Sequence, residues 1–295
     1  MGTLLSLARS SSTPVYPYAQ TNANANTIVK KMVISDKTHA LVKDNCTTQE
    51  ELQNALRNAG IESSNLMIGI NFSKSSSNIT TNKSDIVSAN NHILSVFCTT
   101  FNALNNNDRI FAYGFGYSKI SNKTLFPFQN TLDDMESDNL SMGVEELDTG
   151  HKLETVLELY NKFIHDMGHD FANIYGPISF APLIHKAIDH VKKTSKYTIL
   201  LIICDEIITR REETIDAIAE AAKYPLSIIC IGVGKVSFDI MEEFDEYIPD
   251  RPFNNFHFIN LHKLMKECDG NDIEFAKNAL RKLPDQYDFI KGNYL

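Results

Sequence analysis

Two short runs constrain this chain most. Tyr197 to Cys204 and Leu226 to Ile231 are near-continuously apolar, and the helix-length stretch Arg210 to Lys223 lies between them. A strand with one wet face alternates apolar and polar residues, whereas a strand apolar throughout is covered on both faces. Leu66 to Ile70, Arg109 to Tyr113 and Phe256 to Ile259 repeat the pattern. Helical stretches separate them. Asp85 to Phe101 sets Ile86, Ile93, Leu94, Phe97 and Phe101 on one side; Lys152 to Met167, Phe180 to Thr194 and Asp239 to Phe244 follow, and Asp272 to Lys282 is expected as the last helix. Upstream, Thr47 and Glu50 have the spacing of a capping box, and Gly60 stops the helix that follows. Thr124 to Phe128 is expected as a short edge strand, since Pro127 is tolerable only at an edge. Strands and helices in this alternation predict an α/β fold: a doubly wound, mostly parallel sheet with helices on both faces. In that class ligands bind at the carboxyl ends of the strands, where the winding reverses.

The 295 residues suit one large domain with an extension. Residues 1–43 are expected to be a tail. Ser10 to Thr13 and Thr21 to Asn26 are low in complexity and lack an apolar period, so they cannot offset the entropy of ordering. Residues 44–295 are expected to form the folded domain. Lys plus Arg number 28 against 37 Asp plus Glu, a formal charge of -9, which argues against nucleic acid as a partner. The five cysteines are scattered and form no Cys-x-x-Cys pair, so neither a zinc finger nor a RING module is expected. That usage, with no secretory signal, suggests an intracellular chain. Met1-Gly2-Thr3-Leu4-Leu5-Ser6 matches the N-myristoylation pattern, which makes Gly2 the expected lipidation site.

The strand-end loops hold the candidate chemistry. Asn71-Phe72-Ser73-Lys74-Ser75 alternates small polar side chains directly after a strand, and hydroxyl and carbonyl oxygens suit a hard cation such as Mg²⁺. Asp205-Glu206 opens the loop after the most apolar strand, where a carboxylate is costly unless paired or solvated. Gly176-Pro177-Ile178-Ser179 precedes a helix. The loop from Leu132 to Asp148, with Asp133 and Asp134, carries acids and no Lys or Arg, which suits either a basic partner or a solvated surface. Tyr113-Gly114-Phe115-Gly116 lacks the third Gly and the Lys-Ser/Thr of a phosphate loop, and no Gly-x-Ser-x-Gly elbow marks a hydrolase.

These stretches together resemble a known family. Ala55-Leu56-Arg57-Asn58-Ala59-Gly60-Ile61, Ile68-Gly69-Ile70-Asn71-Phe72-Ser73-Lys74-Ser75, Gly176-Pro177-Ile178-Ser179-Phe180-Ala181-Pro182, Ile231-Gly232-Val233-Gly234 and Leu283-Pro284-Asp285-Gln286-Tyr287 are similar to the copine-type von Willebrand factor A domain. The similarity runs over about residues 44–290 and is greatest to the plant copine-like RING-finger ubiquitin ligases, which also begin with a myristoylation motif. The resemblance implies a metal ion-dependent adhesion site: an Asp-x-Ser/Thr-x-Ser loop, a Thr in the third loop and an Asp after the fourth strand. Asn71 falls on the first Asp, Ser73 and Ser75 on the hydroxyls, Ile178 on the Thr and Asp205 on the last Asp, while Glu206 stands where Gly is usual. One lost carboxylate and one lost hydroxyl imply a degenerate site, with Mg²⁺ weak or absent.

The resemblance carries further expectations. Copines have two C2 domains before this domain and the plant ligases a RING module after it; here a tail of about 40 residues precedes the domain and Leu295 follows it closely, so ligase activity is not expected of this chain. The chain is expected to be a non-enzymatic protein-binding module, a signalling or trafficking adaptor whose partner meets the top loops at Ile178, Ser179, Asp133 and Asp134. An N-terminal lipid would hold it partly at membranes, with a cytoplasmic pool and the nucleus open to it. The alternative is a substrate-recruiting component of ubiquitination.

Overall fold

The computed structural model describes residues 46–72, 83–102, 104, 110–116, 125–128, 150–167, 178–205 and 208–295. Gly2 and the expected tail lie outside the described residues, as do Ser73, Ser75, Asp133, Asp134 and Glu206.

The described chain runs α1 (Gln49–Asn58), a 3-10 turn (Ile61–Ser63), β1 (Asn65–Asn71), α2 (Lys83–Asn102), β2 (Ile110–Phe115), β3 (Leu125–Pro127), α3 (Leu153–Met167) and α4 (Ala181–Thr194). It continues with β4 (Thr198–Cys204), α5 (Arg211–Ala221), β5 (Leu226–Gly232), α6 (Asp239–Glu246) and β6 (Phe256–Asn260). Three helices follow: α7 (Leu261–Glu267), α8 (Asp272–Leu280) and α9 (Leu283–Asn293). The six strands form one sheet in the order β3-β2-β1-β4-β5-β6. All neighbours are parallel except β3, which pairs antiparallel with β2 at the edge and carries Pro127 there. From β1 the chain winds out to β2 and then returns to lay β4 on the other side of β1. The winding therefore reverses between β1 and β4, and the crevice at their carboxyl ends is the expected place for a site.

Burial explains the apolar runs. Every residue of β1, β4 and β5 is buried. Alternate residues face opposite cores. Leu66, Ile68 and Ile70 of β1, with Ile199, Leu201 and Ile203 of β4, pack against Leu52 and Leu56 of α1, Phe97 of α2, Tyr160 of α3, Phe275 of α8 and Ile290 of α9. Met67, with Leu200, Ile202 and Cys204, faces Leu183 and Ile184 of α4, Ile218 of α5 and Phe244 of α6. Gly69 lies on this second face. A Cβ there would stand 2.1 Å from Leu183 Cδ2, and Leu183 is itself fully buried, so α4 approaches β1 only because residue 69 lacks a side chain.

Two sequence expectations shift. The capping box is built by Thr48 and Glu51 rather than Thr47 and Glu50: Thr48 Oγ1 accepts from Glu51 N at 3.2 Å, and Glu51 Oε2 accepts from Thr48 N at 3.1 Å. Thr47 contributes its own N–H to the same Glu51 carboxylate at 2.7 Å. The expected last helix, Asp272 to Lys282, ends at Leu280, and α9 follows with Pro284 in its first turn, where a missing N–H costs nothing. The short α7 was also not anticipated; it begins directly on β6, with Asn260 Oδ1 accepting from Lys263 N at 3.1 Å.

Beneath β6 lies a buried ionic cluster. His257 Nδ1 stands 3.1 Å from Asp245 Oδ2, and His257 Nε2 is 3.0 Å from the Asn278 carbonyl. Lys282 Nζ donates to the other oxygen of Asp245. These contacts join α6, β6 and the α8–α9 junction. Burial pulls the His257 imidazole below its ordinary range, against the opposing pull of the Asp245 carboxylate.

Two outcomes follow. Gly69→Ala should destabilise the domain by about 1–3 kcal/mol, read as a lower urea midpoint with an unchanged slope. His257 has a folded pKa below its unfolded one. Its contribution is therefore complete above about pH 6.5 and is lost as the pH falls toward the folded value. The urea midpoint of the wild type should decline as the pH falls below about 6.5, and His257→Gln should flatten that decline whatever it costs at higher pH.

Candidate functional site

The site is set by where two buried strands end. β1 and β4 pair with Ile70 opposite Ile203, so Asn71 and Cys204 are the next neighbours and Asp205 stands one residue beyond. A strand buried on both faces cannot end in a charge until it leaves the sheet, and Asp205 is the first residue past Cys204. Asn71 is 4% exposed and turns its amide into the crevice. Its Nδ2 donates to Asp205 Oδ1 at 3.2 Å and lies 3.9 Å from Cys204 Sγ. The sequence-predicted pair, Asn71 and Asp205, is thus brought together across the point where the winding reverses.

An aromatic floor holds the end of β1. Phe72 continues the pairing beyond the strand, its N–H donating to the Phe115 carbonyl at 2.8 Å. Its ring packs against Phe163 at 4.7 Å between centroids, Phe128 at 5.7 Å, Phe126 at 5.8 Å and Tyr160 at 6.1 Å. Tyr160 brings α3 under the site. Its hydroxyl accepts from Asn90 Nδ2 of α2 at 2.9 Å. Burial, and after it the negative charge of Asp205, push the Tyr160 phenol well above its ordinary range, so it stays protonated. Sequence reasoning missed Asn90 and Tyr160. Asn90, a polar residue in an otherwise apolar helical stripe, was the one available signal.

The third loop behaves differently from the expectation for a partner-binding surface. The Ile178 side chain is 1% exposed and packs in the core on the α4 side of the sheet. Its backbone is what reaches the crevice wall. Ile178 N donates to Thr209 Oγ1 at 2.8 Å, and the Ile178 carbonyl accepts from Thr209 N and Arg210 N, both at 3.1 Å. Thr209, which the sequence reading did not single out, therefore clamps the loop before α4 to the loop after β4. Ser179 Oγ accepts from Ala181 N at 3.1 Å and so serves the first turn of α4.

A hard divalent cation takes carboxylate, hydroxyl, carbonyl and water oxygens. Of the expected ligand positions, Asn71, Ile178 and Asp205 are among the described residues. Asn71 presents an N–H, not an oxygen, to Asp205, and Ile178 presents a methyl group to the core. Among the described residues no group of three or more His, Cys, Asp or Glu is placed to hold a metal ion. Cys204 and Cys230 are both buried, and burial pushes the Cys230 thiol well up, as expected for small core residues.

Comparison with known proteins identifies relatives of this chain. The chain is 30% identical over 293 residues to Copine family protein 1 of Caenorhabditis elegans, covering 95% of this chain and 24% of that protein. It is 31% identical over 279 residues to E3 ubiquitin-protein ligase RGLG2 of Arabidopsis thaliana, covering 85% of this chain and 55% of the ligase. The chain thus spans about a quarter and about half of these curated relatives. Among solved structures, the SpRpn10 VWA domain is similar with a TM-score of 0.39 at 14% identity, covering 67% of this chain and 87% of that one. The family profile described as Copine matches residues 77–294. With relatives at 30% identity or more over most of its length, and a profile match over most of the folded domain, the chain belongs to the copine family.

Proposed function

We propose that this chain is a non-enzymatic protein-interaction module that takes a partner at the carboxyl end of its sheet. The observation that carries this reading is the contact of Asn71 with Asp205 at the carboxyl ends of β1 and β4, where the winding reverses. Polar atoms paired in this way suit recognition rather than catalysis: no nucleophile–base pair faces the crevice among the described residues. Its adhesion site is degenerate, and magnesium contributes weakly or not at all. Ser179, Asp133 and Asp134 are the positions expected to meet the partner. A myristoyl group on Gly2 would add a reversible membrane tether, since one acyl chain gives an association constant of only about 10⁴ M⁻¹. A cytoplasmic pool is the consequence, with nuclear entry open to it.

A second reading is favoured by the likeness to RGLG2. In it the module recruits substrates for ubiquitination by a separate ligase.

Pull-down from a eukaryotic extract separates the two. Membrane or trafficking proteins captured equally with Mg²⁺ and with chelator support the adaptor reading; ligase components among the captured proteins support the second. Capture abolished by chelator would defeat the metal-independent form of either. When the protein is expressed in a eukaryotic host, Gly2→Ala should lose the mass of a myristoyl group and shift a membrane-associated fraction to the soluble one. An unmodified wild-type amino terminus would remove the tether.

A further inference from the structure

We propose that Lys192, Lys193, Lys196 and Lys223 form a docking corner for an anionic membrane surface, at the end of the sheet opposite the crevice. This deepens the reading of the chain as an interaction module, since it assigns the amino ends of the strands to the membrane and leaves the carboxyl ends for the partner. The corner follows from the parallel pairing of β4 and β5. Thr198 lies opposite Leu226, and Thr198 N donates to the Pro225 carbonyl at 3.0 Å. The chain enters β4 from α4 and β5 from α5, so the carboxyl ends of both helices come together there. Lys192 and Lys193 occupy the last turn of α4, Lys196 follows the left-handed Ser195 that ends it, and Lys223 comes just after α5. Lys192 Nζ stands 5.1 Å from the centroid of the Tyr224 ring, which ties the two helix ends together. All four lysines are exposed, and no ion pair joins any of them to a carboxylate.

Helix polarity accounts for Lys192 and Lys193, cations at the carboxyl end of α4. It does not account for Lys196, which is outside the helix, nor for four lysines without an acid partner in a chain of formal charge -9. The acids on the same stretches are Asp189, one turn back on α4, and Glu220, which lies 3.5 Å from His185 Nε2; Glu62, ahead of β1, is a further exposed acid at this end. A membrane meets only the end presented to it. Its field falls off within a Debye length, about 8 Å at physiological salt. The seven residues of β4, at roughly 3.3 Å each, already set the crevice about 20 Å from the corner. A long soluble polyanion would instead run on to the acids of α5 and α6, Glu212, Glu213, Asp216, Glu242 and Glu243. A single acyl chain holds a protein only marginally and takes a second signal for stable anchoring, and each lysine near an anionic surface strengthens binding about fivefold.

The test uses the unacylated full chain from a bacterial host, sedimented with vesicles of phosphatidylcholine alone or with about 30% phosphatidylserine, at about 0.05 M and about 0.5 M salt. The wild type should partition roughly tenfold or more better onto the anionic vesicles at low salt and lose that preference at high salt. A variant with Lys192→Gln, Lys193→Gln, Lys196→Gln and Lys223→Gln should show no preference. A control with Lys162→Gln, Lys263→Gln and Lys266→Gln, exposed lysines of α3 and α7, should keep it. A wild type indifferent to phosphatidylserine, or a control that loses as much per lysine as the corner variant, would overturn the proposal. So would binding to soluble polyglutamate without binding to vesicles, which would give the corner to an acidic protein. The chain tested carries no acyl group and partner capture uses no vesicle, so failure of the corner, of the Gly2 tether and of the interaction reading are separate results.

Discussion

The pairing of β1 with β4 is the constraint on which the rest of the molecule depends. Both strands are buried along their whole length, so each needs a covering layer on both faces, and the apolar stripes of the surrounding helices exist to supply it. The same pairing puts the reversal of the winding at the centre of the sheet rather than at an edge. Asn71 and Asp205 meet because their strands are neighbours in a register that sets Ile70 against Ile203. Nothing in their separation along the chain, more than 130 residues, favours that contact.

Several buried polar groups in this fold are paired across elements. Asn71 satisfies Asp205, Asn90 donates to Tyr160, and His257 and Lys282 share Asp245. Each joins separate elements: Lys282 balances the Asp245 charge, whereas Asn71 offers Asp205 only an amide dipole. In a low-dielectric interior an unmatched group costs more than a satisfied one contributes, so such pairs specify which elements lie together as much as they stabilise them. The crevice follows the same rule. There Asn71 of one strand meets Asp205 just past the end of its neighbour.

The boundaries that sequence reading placed least well were those with ambiguous local chemistry. Thr47-Thr48-Gln49-Glu50-Glu51 offers two capping boxes one residue apart. The side-chain bond from Gln49 Nε2 to Thr100 Oγ1, at 2.8 Å across to α2, is a tertiary contact that only the fold supplies. Helix α7 has a single buried residue, Leu261, and therefore no apolar period to read. Helix α9 opens without a side-chain cap and has a proline as its second residue, a residue equally at home in a turn. At the site, Thr209 was invisible because its hydroxyl serves a backbone, and backbone partners leave no trace in residue type.

The sequence alone determined the class of fold. Continuous apolar runs separated by helical periods admit few solutions besides a parallel sheet covered on both sides, and the resemblance carried by its motifs named the family. It also brought Asn71 and Ile178 forward as positions where chemistry departs from the family's pattern, beside Asp205, which keeps it. Only the tertiary structure decided what those departures do. Ile178 turns its side chain into the core because the backbone of its loop is clamped by Thr209. Asn71 becomes a partner for Asp205 because strand register, a property of the sheet and not of either segment, holds an amide N–H within reach of a carboxylate oxygen.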